Sequence, residues 1–165
     1  MIGDEDAGLA DYERELLRTI GEHGWQCTSV FDPNGNDPSF SYSVGFTSAL
    51  EAPEFIIFGL DIKLMHSMLW QVFRQIKDGK PVVDGDRWAG ILDGFDCVAR
   101  AVHPTNVARE NANSAIWYWR HTGHKGLPLL YQLFWPGKVD GFFPWDPDCS
   151  DYVRTLQPSL YLPVV

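Results

Sequence analysis

The sequence predicts an α+β domain: a mostly antiparallel, strongly bent or barrel-like sheet with about three helices packed on it. Three patterns carry that prediction. Residues 40–44 alternate apolar side chains with serine at a period of two. Residues 55–60, Phe-Ile-Ile-Phe-Gly-Leu, form a continuous apolar run, as in a strand buried on both faces. Asp93-Gly94 lies between two strand-like segments and reads as a two-residue hairpin loop of the type I′ class.

The remaining elements follow in chain order. Leu9, Tyr12, Leu16 and Ile20 recur at helical spacing, and Leu17 widens the stripe. Asp4 and Asp6 would cap this first helix, placed over residues 4–21, and Gly21 and Gly24 would end it. Trp25 to Phe31 reads as a strand and Asp32-Pro33-Asn34-Gly35 as a turn. After the alternating strand, a short loop closed by Pro53 leads to the apolar run. Asp61 would cap a helix from Ile62 to about Lys77, whose stripe is Ile62, Met65, Leu69, Phe73 and Ile76. Gly79 and Pro81 would end it. Trp88–Leu92 and Phe95–Val102 are the hairpin strands. Thr105 or Asn106 begins a third helix running to about Arg120, and Leu129–Trp135 is a last strand. The tail, rich in proline and aromatics, would lie over the core.

Bulk properties bound the function. The chain has 165 residues, a normal length for one domain. We divide it into a helix at 4–21, a core at 25–158 and a tail at 159–165. Hydrophobic residues make up 45% and charged residues 21%, which excludes a disordered chain. Aromatics are abundant, with seven Trp and ten Phe, so rings should dominate the core and leave some for a groove. The net charge of −9 opposes nucleic-acid binding, and no run of Lys or Arg offsets it. A basic protein partner would be favoured. No apolar window approaches membrane-spanning length and no signal peptide opens the chain, so we expect a cytoplasmic protein without a membrane role. Cys27, Cys97 and Cys149 are odd in number and widely spaced, which indicates neither a disulfide framework nor a zinc knuckle.

Several segments together resemble one family. Tyr42-Ser-Val-Gly45-Phe46 is similar to a Tyr-Thr-x-Gly-Leu signature, with Ser43 keeping the hydroxyl of the usual Thr. Pro53-Glu54-Phe55-Ile-Ile-Phe58-Gly59-Leu60 is similar to its companion Pro-Glu-Leu-x-x-x-Gly-Leu. Gln132-Leu-Phe-Trp135-Pro136, Asp140-Gly141-Phe-Phe-Pro144-Trp145-Asp146 and Gln157-Pro158 are similar to its closing blocks, although Gly137-Lys138 interrupts the usual Trp-Pro-Asp. From about Gly21 to Pro158 the chain thus resembles the bacterial domain-of-unknown-function family numbered 4262. That resemblance implies one intact domain and supplies no activity or cofactor.

The candidate site residues are each weighed against a plain structural role. Gly45, after a strand, permits a bend or close approach by a ligand, with Tyr42 and Ser43 as hydrogen-bond donors. A turn with solvent-facing serines is the commoner outcome. His66 falls on the apolar stripe of its helix, between Ile62, Leu69 and Phe73. It would act as a base or ligand contact, or more commonly as a core histidine bonded to a carbonyl. His121-x-x-His124 has metal-like spacing, but a zinc site needs three or four ligands, so no metal is expected. Cys97 and His103 make a poor nucleophile pair, since six residues of strand span roughly 20 Å. Arg109, Trp117 and Tyr118, on the third helix, have the composition of interface hot spots and cation–π pockets. Trp135 and Trp145 bound a segment that is either a ligand platform or, as we favour, a structural clasp.

No Walker loop, dinucleotide fingerprint, nucleophile elbow or paired-carboxylate motif occurs, so no cofactor is expected. The favoured reading is a binding module recognising a protein or peptide partner through aromatic and acidic surface. The alternative is a small-molecule or enzyme pocket near Tyr42, Ser43, His66 and Tyr118, with the bend at Gly45 as one wall. Exposed aromatics would also suit a homodimer.

Overall fold

A computed structural model describes residues 8–108 and 112–164. The described residues form one six-stranded sheet in the order β1-β2-β3-β6-β5-β4. The strands are β1 (Gln26–Val30), β2 (Phe40–Val44), β3 (Glu54–Phe58), β4 (Arg87–Leu92), β5 (Phe95–Ala101) and β6 (Leu130–Phe134). Four neighbouring pairs are antiparallel, and β3 with β6 is parallel, so the sheet is mixed. It is open, with β1 and β4 at its edges, which corrects the expectation of a barrel-like or strongly curled sheet. The reason is topological. β6 returns between β3 and β5, joining two antiparallel halves, and nothing pairs β1 with β4.

The helices are α1 (Asp11–His23), α2 (Phe46–Ala49), α3 (Ile62–Lys77), α4 (Pro104–Asn106), α5 (Asn113–His121) and α6 (Asp151–Leu156). The expected three helices correspond to α1, α3 and the α4–α5 region; α2 and α6 are single turns too short to show a stripe. Asp4 and Asp6 lie outside the described residues. The cap of α1 is instead Ala10, whose N–H is taken by Glu13 at 2.8 Å. The helix passes through Gly21 and ends at Gly24, whose φ of 89° only glycine adopts readily. Asp61 caps α3 as expected, accepting from the N–H groups of Lys63 and Leu64. The Asp93-Gly94 loop joins β4 to β5, but only its glycine has positive φ. A type I′ turn needs positive φ at both positions, so the loop is of another class.

The two faces of the sheet are covered differently. Phe55, Ile57, Trp88, Cys97, Ala99 and Leu133 pack against Met65, Met68, Leu69 and Val72 of α3. On the opposite face Tyr42, Val44, Ile56, Phe58 and Leu130 meet Leu16 and Ile20 of α1, Ala115 and Tyr118 of α5, and Leu160 of the tail. A smaller cluster joins Val98 and Phe134 to Phe143, Trp145 and Tyr161. Two glutamines fasten the tail. Gln157 exchanges hydrogen bonds with the backbone N–H and C=O of Trp135, at 2.9 and 2.8 Å. Gln132 donates to the carbonyl of Pro158 and accepts from the N–H of Leu160. Buried amides with both ends satisfied in this way fix the tail's register against the sheet.

Candidate functional site

The polar centre of the molecule is a buried carboxylate. Glu54 opens β3 and is fully buried. Its two oxygens accept from the Ser43 hydroxyl at 2.8 Å, the Gly45 N–H at 2.7 Å and the Phe46 N–H at 2.9 Å. The Ser43 oxygen in turn accepts the Phe55 N–H at 2.9 Å. Burial pushes the Glu54 carboxyl up to about 7, while these donors pull the other way. The carboxylate therefore replaces water for the first N–H groups of α2 and holds the turn at 45–46 against the start of β3. Gly45 is needed there for space as well as conformation. Its φ is 118°, and a Cβ would lie 2.9 Å from the Gly24 carbonyl oxygen and 3.0 Å from the Trp25 Cα.

Tyr42 and Tyr118 are anchors within the opposite layer. The Tyr42 hydroxyl accepts the Ser114 N–H at 3.1 Å, and the Tyr118 hydroxyl pairs with that of Ser48 at 2.7 Å. They tie α5 to β2 and to the turn after Gly45. His66 lies on the other side of the sheet. It is exposed at the edge of the α3 stripe rather than on it, with its ring 5.9 Å from that of Trp25. It lines a cleft of about 450 Å³ with His23, Trp25, Cys27 and Trp70. The structure does not bring Tyr42, Ser43, His66 and Tyr118 to one face, because the alternation of β2 sends Tyr42 and Ser43 to opposite sides of the sheet.

The other candidates separate likewise. Trp117 stacks on His121 with centroids 4.7 Å apart, and Trp119 stacks on His124 at 3.8 Å. Among the described residues no group of three or more His, Cys, Asp or Glu is placed to hold a metal ion. Trp135 is buried and donates its indole N–H to the Phe58 carbonyl at 2.7 Å. His103 caps α4. Cys97 is fully buried, and burial pushes its thiol up to about 12, so it is not a nucleophile. Trp145 stacks on Phe143 at 5.1 Å in the clasp segment. Arg109 lies outside the described residues.

A cleft of about 470 Å³ is built directly on the turn that Glu54 holds. Thr47, Ser48, Glu51, Ala52, Pro53, Trp119, His124 and Leu129 line it, and the Leu129 carbonyl accepts the Glu54 N–H at 3.1 Å. Leu129 is 71% exposed although it is a large apolar side chain. Among the described residues Glu51 alone has positive φ without being glycine, at 51°. Such a conformation costs about 1–3 kcal/mol and collects at functional positions. Sequence reading missed Glu51, Glu54, Trp119 and Leu129. The available signal was an acid at the first position of an otherwise apolar strand, where only a satisfied carboxylate fits.

Among the described residues no helix is long and apolar enough to cross a membrane. None of the curated proteins and none of the solved structures matches this chain. A family model does match over residues 19–150, the stretch containing the serine-glycine turn, Glu54 and the aromatic segment from Trp135 to Trp145. The chain belongs to the family described as a domain of unknown function, DUF4262.

Proposed function

We propose that this domain is a cytoplasmic binding module that takes a basic, apolar-tipped peptide segment of a protein partner in the cleft between the turn at 47–53 and α5. The observation that carries the reading is the strained Glu51 on a cleft that the exposed Leu129 also lines. A cleft that places Ala52, Pro53, Trp119 and Leu129 beside an acid suits an apolar side chain next to Lys or Arg. The net charge of −9 would steer such a partner and speed its approach. The Glu54 knot supports the cleft by fixing one wall before any partner arrives, which lowers the ordering cost of binding.

The test is selection of peptides from a random display library on the immobilised domain. The expected outcome is enrichment of sequences pairing Lys or Arg with a large apolar residue. Their binding should weaken with added salt and fall at least tenfold in Glu51→Lys and Leu129→Asp. Both side chains are exposed, so the variants should fold. Peptides held equally by wild type and both variants would overturn the assignment.

A further inference from the structure

A second cleft, of about 420 Å³, lies beside β4 and β5 and shares no lining residue with the first. Arg87, Val98 and Arg100 present one sheet face, since Arg87 pairs with Val98 and Arg100 is two residues further along β5. The clasp segment supplies Phe143, Trp145 and Asp146, and the loop before β4 supplies Asp84. Each guanidinium is held against rings. Arg87 lies 5.9 Å from the centroid of Phe143. Arg100 lies 5.3 Å from that of Trp145 and 4.1 Å from that of Tyr161. Stacking occupies the face of a guanidinium and leaves its in-plane N–H groups directed outward.

The hydrogen bonds around the cleft are unbalanced toward donors. Asp84 already accepts from the Arg100 Nε at 3.3 Å and the Ala101 N–H at 2.8 Å. Asp146 already accepts the Phe143 N–H at 2.7 Å. Arg100 spends only its Nε, and the Arg87 guanidinium has no hydrogen-bond or carboxylate partner among the described residues. The two acids cancel the two bases in formal charge, so long-range attraction does not define the site. What it offers is the unpaired fork of Arg87 beside the outer N–H groups of Arg100, whose Nε alone is taken by Asp84.

We propose that this cleft binds a small organic oxyanion, with its carboxylate or phosphate group held by the forks of Arg87 and Arg100. Bidentate contacts from stacked guanidiniums cost little side-chain entropy, and planar carboxylate and tetrahedral phosphate both match the fork. Trp145 is then more than a clasp: it orients Arg100 and forms the wall along which the rest of the ligand lies.

The experiment is a titration of the full chain followed through the arginine Nε–H resonances by NMR and through tryptophan fluorescence. Inorganic phosphate and benzoate are the probes, at constant ionic strength. A saturable shift of the Arg87 and Arg100 resonances with millimolar probe is expected, lost in Arg87→Gln and weakened at least fivefold in Arg87→Lys. Saturation by phosphate alone assigns a phosphate ligand, and saturation by benzoate alone or more tightly assigns a carboxylate. Shifts that stay linear with both probes, or binding that survives unchanged in Arg87→Gln, would overturn the site. Equal binding in Arg87→Lys would overturn recognition by the fork. Arg87 is exposed, and an unchanged backbone amide spectrum would verify that each variant folds.

Discussion

Ser43 and Glu54 are joined by a hydrogen bond of 2.8 Å, and the same serine oxygen receives the N–H of Phe55. One hydroxyl therefore links β2, β3 and the carboxylate that organises the turn at Gly45. The backbone donors around Glu54 cannot be removed by mutation, which sets the outcome of side-chain changes here. Ser43→Ala should cost about 1–3 kcal/mol, because it leaves the Phe55 N–H and one carboxylate lone pair without partners. Glu54→Leu should cost more, about 4 kcal/mol, since three buried donors lose their acceptor at once. Urea unfolding measures both, and a Glu54→Leu midpoint equal to wild type would refute the structural role given to the carboxylate.

The raised Glu54 value predicts a pH dependence. In the unfolded chain the group titrates near 4.5, and in the folded protein near 7. The folded state therefore holds the proton more tightly across that window. Its contribution to stability is fully present below about pH 4.5 and is lost as pH rises through 7. Urea midpoints should fall between pH 5 and pH 8 in the wild type. The fall should be smaller in Glu54→Gln, where other groups titrate as before. A fall of the same size in the variant would exclude Glu54 as its source.

Two glycines are fixed by neighbouring backbone rather than by flexibility. Gly45→Ala would press its Cβ against the Gly24 carbonyl and Trp25 Cα at a φ of 118°. Gly59→Ala would place a Cβ 2.8 Å from the Leu156 carbonyl oxygen, at a φ of 84°. Each should lose about 2 kcal/mol or more, combining strain with displacement of backbone. Gly94→Ala is the comparison, because positive φ is retained there with no atom in the way. Thermal melts should order the variants with Gly94→Ala least affected.

Cys27 and Cys97 should react in order of access. Cys97 is fully buried with its thiol pushed up to about 12, whereas Cys27 is half-buried beside His23 and His66. Labelling of the native protein at pH 8 by a disulfide reagent, read by peptide mass, should modify Cys27 first and spare Cys97 until denaturant is added. Early modification of Cys97 would mean that α3 separates from the sheet in the native state.

Much of the fold is legible in local patterns. The period of two in β2, the apolar run of β3 and the Asp61 cap of α3 are consequences of neighbouring residues, and each element forms where its pattern lies. The return of β6 between β3 and β5 depends on contacts distant in sequence, so the expectation of a barrel-like sheet fails there. The site was legible only in part. None of residues 42–46 lines the cleft beside the turn at Gly45, which Thr47, Ser48, Glu51, Ala52 and Pro53 border instead. Periodicity placed His66 on the stripe because it ignores how far a helix face turns from the sheet. Arg87 and Arg100 carry no motif at all. Their pairing arises from strand register and from rings more than forty residues away.

The late position of β6 also orders the assembly of the molecule. When the ribosome has emitted the chain only as far as α5, β1-β2-β3 and β4-β5 are two separate ribbons, each with a bare edge. The segment that joins them, Leu130–Phe134, has not yet appeared. Those edges must stay unpaired, or be shielded, until residues 130–134 zip between them. A nascent chain stalled before that point leaves the facing edges of β3 and β5 without the strand that covers them in the native sheet, the kind of bare edge that invites aggregation.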